Sequence, residues 1–239
     1  MTAGAGVRTA LTALLAALAL AFAALAHWQW QRLLWKEALL ARVARIDTEA
    51  PIAPPPPAEW PTLRLADVEY RPVQLAGRFD AAREQRVLAS TELGRGRWVM
   101  VPLLTREGFW VWVNRGFVDE AHRDPASRPA PSDAELQRPG LLRFSEKPWL
   151  PGLADASRDI ARLSAAAGLP ADRVAPYFVD ARPAAGASAQ ETWPRAGLTV
   201  LRFSNRHLGY ALTWAGLALA ALAGAALVWR QGRRPGPQG

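Results

Sequence analysis

No cysteine occurs among the 239 residues, which excludes disulfides, thiolate metal ligation, covalent c-type heme attachment and thiol redox chemistry. Lysine is nearly missing as well. It stands only at Lys36 and Lys147, so arginine carries almost all of the positive charge behind the net +8. The arginines are dispersed rather than striped, and no recognisable DNA- or RNA-binding motif accompanies them. The basic balance therefore implies no nucleic acid partner, and beside abundant alanine it reads as GC-rich coding. There is no Gly-x-Ser-x-Gly elbow, no phosphate loop and no His-Glu-x-x-His. Gly94-Arg95-Gly96 lacks the third glycine of a dinucleotide fingerprint and reads as a turn. With the acidic residues scattered, no acid–base pair suggests itself, and the expectation is that the protein is not an enzyme.

What is present is unevenly spread. Mean hydropathy is only −0.04, yet the apolar residues pile up at the two ends. Thr9 to Ala26 carries no charge and is long enough to cross a hydrocarbon core. Trp28 and Trp30 follow it as candidates for an interfacial belt. A cleavable signal peptide is the alternative, since Ala24-Leu25-Ala26 matches a small-x-small cleavage site. The second segment, Tyr210 to Trp229, is followed by Arg230, Arg233 and Arg234. That cluster places the C-terminus in the cytoplasm by the positive-inside rule. Two spans then return the N-terminus to the cytoplasm and put the middle outside. The expected division is a cytoplasmic N-terminus (1–8), a first transmembrane helix (9–27), an extracytoplasmic domain (28–208), a second transmembrane helix (209–229) and a cytoplasmic tail (230–239). Ala215-Gly216, Gly224 and Ala225 would let another helix approach closely.

The middle is sized as a single domain. A helical continuation from Arg32 reaches to about Ile46, and Pro54 to Pro57 form a stiff connector. Strands are expected at Tyr70–Phe79, Gln85–Ser90, Trp98–Leu104, Phe109–Val113, Gly140–Phe144, Ala175–Asp180 and Gly197–Phe203, with a hairpin turn over Thr105–Gly108. Ala121 to Pro139 reads as a loop. Asp155 to Ala167 has helical spacing, ended by Gly168 and Pro170. Hairpins with one or two helices give an α+β class: two transmembrane helices flanking a mostly antiparallel β domain.

Three histidines complete the candidates. His122 sits in the polar loop and reads as solvated. His27 and His207 lie at the outer ends of the two spans, beside Trp28, Trp30, Tyr210 and Trp214. A neutral imidazole there is able to ligate a heme iron. It is equally able to serve as an interfacial hydrogen-bonding group.

Ser204-Asn205-Arg206-His207-Leu208-Gly209-Tyr210-Ala211-Leu212-Thr213-Trp214 closely resembles the Surfeit locus protein family of cytochrome oxidase assembly factors. Further signatures of that family fall in order along the chain. They are Trp28-Gln29-Trp30-Gln31-Arg32 with Trp35-Lys36, Gly77-Arg78-Phe79, Thr91-Glu92-Leu93-Gly94 to Pro102-Leu103, Val113-Asn114-Arg115-Gly116-Phe117-Val118, and Pro176-Tyr177-Phe178-Val179-Asp180. Of the family's Asn-Asp and Ser-Arg-Asp segment, only Ser157-Arg158-Asp159 is recognisable.

The resemblance implies a multi-pass protein of the bacterial inner membrane, its large domain facing the periplasm. It implies a role in assembling heme-copper cytochrome c oxidase, binding heme a and aiding its insertion into the catalytic subunit. The expected partners are that subunit, the heme a synthase and membrane lipid. The family's implicated histidine falls on His207, the expected metal ligand. Trp214, almost two turns on, would line the pocket, and Arg115 would meet a heme propionate, unless Asn114, Arg115 and Gly116 serve to shape the hairpin turn. The rival reading is a membrane scaffold for oxidase assembly that binds no heme.

Overall fold

The computed structural model describes residues 3–132, 139–148, 150–183, 193–198 and 205–232. The chain divides into two compact units, Met1–Ala41 with Arg202–Gly239, and Arg42–Leu201. Of the expected strand Gly197–Phe203, residues 199–203 lie outside the described residues. So do Ser204, Arg233, Arg234 and residues 133–138 of the expected loop.

The first unit is built on two helices. No glycine or proline stands between Gly6 and Pro51. The first span and the continuation after it are therefore one unbroken helix, α1 (Ala3–Ala44). The second apolar segment forms α4 (His207–Gly232). Both are long enough to cross a membrane and hold an 18-residue stretch apolar enough to do so, of mean hydropathy 2.2 in α1 and 2.0 in α4. The residues they shield from solvent recur in alternating steps of three and four. On α1 these include Thr12, Leu15, Ala19, Phe22, Ala26 and Gln29, with Ala16 beside them; on α4 they include Ala211, Trp214, Ala218, Ala221, Ala225 and Val228, with Ala215 and Gly224 beside them. That is the heptad seam of a left-handed antiparallel helix pair. Small side chains dominate it, and a Cβ on Gly224 would lie 3.5 Å from Leu15 Cδ1, at ordinary van der Waals contact. Leucines off the seam, such as Leu14, Leu20, Leu212 and Leu219, are exposed.

The second unit holds the short helix α2 (Leu65–Val68) and a curved seven-stranded sheet: β1 (Pro72–Val73), β2 (Gly77–Phe79), β3 (Gln85–Thr91), β4 (Gly94–Thr105), β5 (Trp110–Val118), β6 (Gly140–Phe144) and β7 (Val174–Asp180). The order is β1-β6-β7-β5-β4-β2, and β3 shares one edge of β4 with β2. Every pairing between these strands is antiparallel except β5 with β7. The α+β class is thus observed: two membrane-length helices flank a mostly antiparallel sheet.

Three differences from the sequence reading have local causes. The single strand expected over Tyr70–Phe79 is two short strands on different partners, because Gln74, Leu75 and Ala76 leave the β6 edge and rejoin the sheet at β4. The helix expected over Asp155–Ala167 begins later. Pro151–Ala156 is a 3-10 turn, and the α-helix α3 (Ile160–Ala166) starts where Asp159 Oδ1 accepts the Ala161 N–H at 3.1 Å. Asn114, Arg115 and Gly116 do not shape the hairpin turn, which lies at Thr105–Gly108 as expected. They form a β-bulge. Val99 pairs with Gly116 and Met100 with Asn114, leaving Arg115 as the extra residue of β5.

β5 is buried along almost its whole length, as a central strand covered on both faces must be. Val111 and Val113 face a cluster with Leu103, Leu142, Tyr177 and Val179. Trp112 faces the other way, into Met100, Leu163 and Phe178, and donates its indole N–H to Ser164 Oγ of α3 at 2.9 Å. The proline connector is drawn onto the sheet: Ile52 pairs with Val73, and the Tyr177 hydroxyl donates to the Pro55 carbonyl at 2.8 Å. Burial pushes that phenol above its ordinary range.

The bulge explains its glycine. Gly116 has φ 136, and a Cβ there would meet the Arg195 backbone at 2.4 Å. Gly116→Ala is therefore expected to destabilise the domain by at least about 2 kcal/mol, read from the denaturant midpoint of tryptophan fluorescence in detergent. A midpoint unmoved by the substitution would refute this reading of the bulge.

Candidate functional site

Two polar constellations stand out, one in each unit. The first centres on Asp180, which closes the apolar strand β7 and is only 2% exposed. Asn114 of the bulge donates to its Oδ1 at 2.8 Å. The same oxygen accepts from Arg158 Nη1 at 3.3 Å, and Oδ2 accepts from Arg143 Nη1 at 3.1 Å. Both guanidiniums turn outward to Glu146. Arg158 meets it through Nε and Nη2 at 2.9 and 2.5 Å, and Arg143 through Nη2 at 3.2 Å. Arg143 also reaches Glu69 at 3.5 Å. Both guanidiniums lie over the Phe178 ring, at 5.9 and 4.8 Å. Asn114 completes the group by accepting the Gly116 N–H on its own Oδ1 at 3.1 Å.

Three segments that carried the family resemblance, Asn114-Arg115-Gly116, Ser157-Arg158-Asp159 and Pro176–Asp180, therefore meet around one carboxylate. Sequence reasoning did not place Arg143, Glu146, Glu69 or Asp180 in any site. A signal was present: Arg143 and Asp180 are lone charges in strands otherwise almost wholly apolar, and such charges need partners. The electrostatics are balanced closely. Burial alone would lower the Arg143 pKa, but Asp180, Tyr70, Glu146 and Glu69 outweigh it and hold the guanidinium above its ordinary range. Burial of Glu69 raises its carboxyl above the usual range, and Arg143 does not fully offset this.

The second constellation lies in the helix pair. His207 opens α4, where Asn205 Oδ1 accepts its backbone N–H at 3.4 Å. Its imidazole Nδ1 sits 2.7 Å from Gln29 Oε1 of α1. Among the described residues, Nε2 has no hydrogen-bond partner. Seven residues along each helix, Trp214 stacks on Phe22 with ring centroids 5.6 Å apart and planes 26° apart. A spacing of seven returns to the same helix face, so the histidine and the aromatic pair share one seam. The two motifs at the ends of the chain, Trp-Gln-Trp-Gln-Arg and Asn-x-His, thus touch through Gln29 and His207.

His207 and Trp214 share one face. His27 is on α1 but about 200° around the helix from Gln29. It is exposed, and its Nε2 lies 2.9 Å from the Gln31 side-chain nitrogen. The geometry gives no support to a paired His27–His207 ligation. Arg115 belongs to the second unit; it is 3% exposed and donates to the Pro129 carbonyl at 3.1 Å. His122 is not simply solvated. Its Nδ1 lies 2.7 Å from Asp119 Oδ1, and its ring stacks on Trp193 at 4.2 Å. Desolvation pushes the Asp119 carboxyl up, but hydrogen bonds from the His122 side chain and backbone outweigh it and hold the pKa below the ordinary value. Among the described residues, no group of three or more His, Cys, Asp or Glu could hold a metal ion.

Asp180→Ala strands two buried guanidiniums and is expected to destabilise the domain by about 3–5 kcal/mol, read as the denaturant midpoint. A loss below about 1 kcal/mol would show that the network is solvated in solution. Glu69 gives a pH signature of known sign. Its folded pKa is raised, so the folded state holds the extra proton, and stability falls as pH climbs from about 4.5 through the folded pKa. Glu69→Gln should flatten that part of the stability–pH curve. Equal slopes in parent and variant would contradict the assignment.

Comparison with known proteins places the chain in a family. A sequence profile of the SURF1 family matches residues 16–219. The chain is 31% identical over 220 residues to the SURF1-like protein of Drosophila melanogaster, covering 81% of this chain and 69% of that one. It is 32% identical over 220 residues to Surfeit locus protein 1 of Mus musculus, covering 82% and 68%. Against Surfeit locus protein 1 of Takifugu rubripes it is 30% identical over 223 residues, covering 82% and 87%. The profile begins inside α1, ends inside α4 and takes in the whole sheet, so it spans both constellations: this chain belongs to the SURF1 family.

Proposed function

We propose that this protein is an assembly factor for heme-copper cytochrome c oxidase, anchored by α1 and α4 in the bacterial inner membrane, that receives heme a as cargo and passes it to the catalytic subunit. Family membership and two membrane-length helices support the general role. The observation that favours heme as cargo is the Gln29–His207 pair. An imidazole hydrogen-bonded through Nδ1 keeps Nε2 available as a ligand, and orientation of a ligating histidine through its other nitrogen is the usual arrangement in metal sites.

The surroundings fit the group chemically. Trp214 and Phe22 supply flat apolar surface on the same face, and the exposed leucines suit a membrane-level site for a porphyrin with a hydrophobic tail. In this reading His207 binds iron, Trp214 lines the pocket, and the seam excludes water from one side of the imidazole. Arg115, held beneath the Pro129 carbonyl, acts on its own loop, and contact with a propionate would require that loop to open. No bond is made or broken in the cargo, so the protein is not an enzyme. Its partners are the heme a synthase, the oxidase catalytic subunit and the surrounding lipid. Arg230 and the basic residues after it keep the C-terminus cytoplasmic, so that the sheet domain faces the periplasm.

A heme-free scaffold is the second reading. A polar pair in an apolar seam also fixes the register of a helix pair, and Gln29–His207 would then be a lock alone. Co-expression with the heme a biosynthetic enzymes, followed by purification in detergent and extraction of the pigment, separates the two. Heme a retained by the parent and lost from folded His207→Ala is the expected result. A colourless parent from a host that makes heme a would favour the scaffold. Full occupancy in the variant would move the ligand elsewhere.

A further inference from the structure

We propose that Gln29 is the positioning residue for His207, selecting the tautomer that leaves Nε2 unprotonated. The inference rests on the reading of His207 as a heme ligand and extends it to a residue that does not touch the cargo.

The argument begins with donor and acceptor inventories. A carbonyl oxygen only accepts. The Gln29 Oε1 at 2.7 Å from His207 Nδ1 therefore requires the proton on Nδ1, and neutral imidazole carries only one. Nε2 is left with a lone pair and has no hydrogen-bond partner among the described residues. Free histidine in water exchanges between tautomers, and its ring turns about χ2. Here a bond across two helices opposes both freedoms.

His27 shows the contrast within the same chain. It adjoins the exposed Trp28, but its Nε2 meets the Gln31 amide nitrogen at 2.9 Å. That contact occupies the nitrogen which His207 keeps open. Two glutamines of one motif thus act in opposite senses, Gln31 covering a ring nitrogen and Gln29 freeing one. The heptad seam fixes the distance. Phe22 and Gln29 are one heptad apart on α1, as are His207 and Trp214 on α4, so the Trp214–Phe22 stack holds the helices in the register that brings Gln29 to the imidazole.

The test uses the full chain in detergent with histidine nitrogens labelled with 15N, resonances being assigned from His27→Gln and His122→Gln. Spectra recorded above the imidazole titration report the tautomer without heme. Hemin titration reports affinity. The parent should show His207 protonated at Nδ1. Gln29→Met, of similar length but with no carbonyl, should lose that preference and bind hemin at least ~10-fold more weakly. Gln29→Glu, which restores an acceptor, should recover both. Helix content by circular dichroism checks that the pair stays folded.

A parent protonated at Nε2, or a Gln29→Met protein with unchanged tautomer and hemin affinity, overturns the positioning role. Hemin binding undiminished in His207→Ala overturns ligation at His207 itself, whatever the spectra show, so the two failures are told apart.

Discussion

One buried carboxylate organises the sheet domain. Asp180 is joined by Asn114 from the bulge of β5, Arg143 from β6 and Arg158 from the segment before α3. β5 and β7 are also the only parallel neighbours among the named strands, and the chain between them must leave the sheet, add β6 and return over α3. A parallel pairing formed over such a connection has a long closure to overcome. The Asp180 network bonds both strands and both intervening segments at one point. An ionised network of this kind is seldom better for stability than packed hydrocarbon, but removal of one member is severe because charges are left buried and unpaired. It fixes which segments meet.

The helix pair is held by a different balance. In a seam of alanines, glycine and leucine, packing discriminates weakly between neighbouring registers, because one small side chain replaces another at little cost. Two contacts break that degeneracy, Gln29 with His207 and Phe22 with Trp214. A polar pair within an apolar seam is costly in any register that separates it. The same bond that aligns the helices also orients the imidazole, so register and ring orientation have a common origin in two side chains.

Much of this was legible in the sequence. Strands β3, β6 and β7 lay where alternation and apolar runs placed them; β4 and β5 run further, from Gly94 and to Val118, so Gly94-Arg95-Gly96, read as a turn, is strand paired with β3, and Gly108 marked the turn between β4 and β5. The uncharged ends gave both long helices. What escaped had to be read across the chain. Asn114-Arg115-Gly116 looks like a turn locally, and only pairing with Val99 and Met100 makes it a bulge. Asp180 and Arg143 are lone charges in apolar strands, conspicuous but partnerless until the topology brings them together. His207 was identifiable from its motif, whereas Gln29 was one polar residue among several in its own, and its role depends on the 178 positions that separate it from His207. The late start of α3 is a capping effect of Asp159 that helical periodicity does not register.

In the function proposed above, His207 is the group that meets the cargo. The most direct measurement is pulsed electron paramagnetic resonance of the heme-loaded chain with 15N-labelled histidine, in a variant carrying His27→Gln and His122→Gln. His207 is then the sole histidine of the three in the sequence. Hyperfine coupling from a histidine 15N bonded to the iron, unchanged from the parent, is the predicted result. An iron signal without that coupling would contradict ligation by His207.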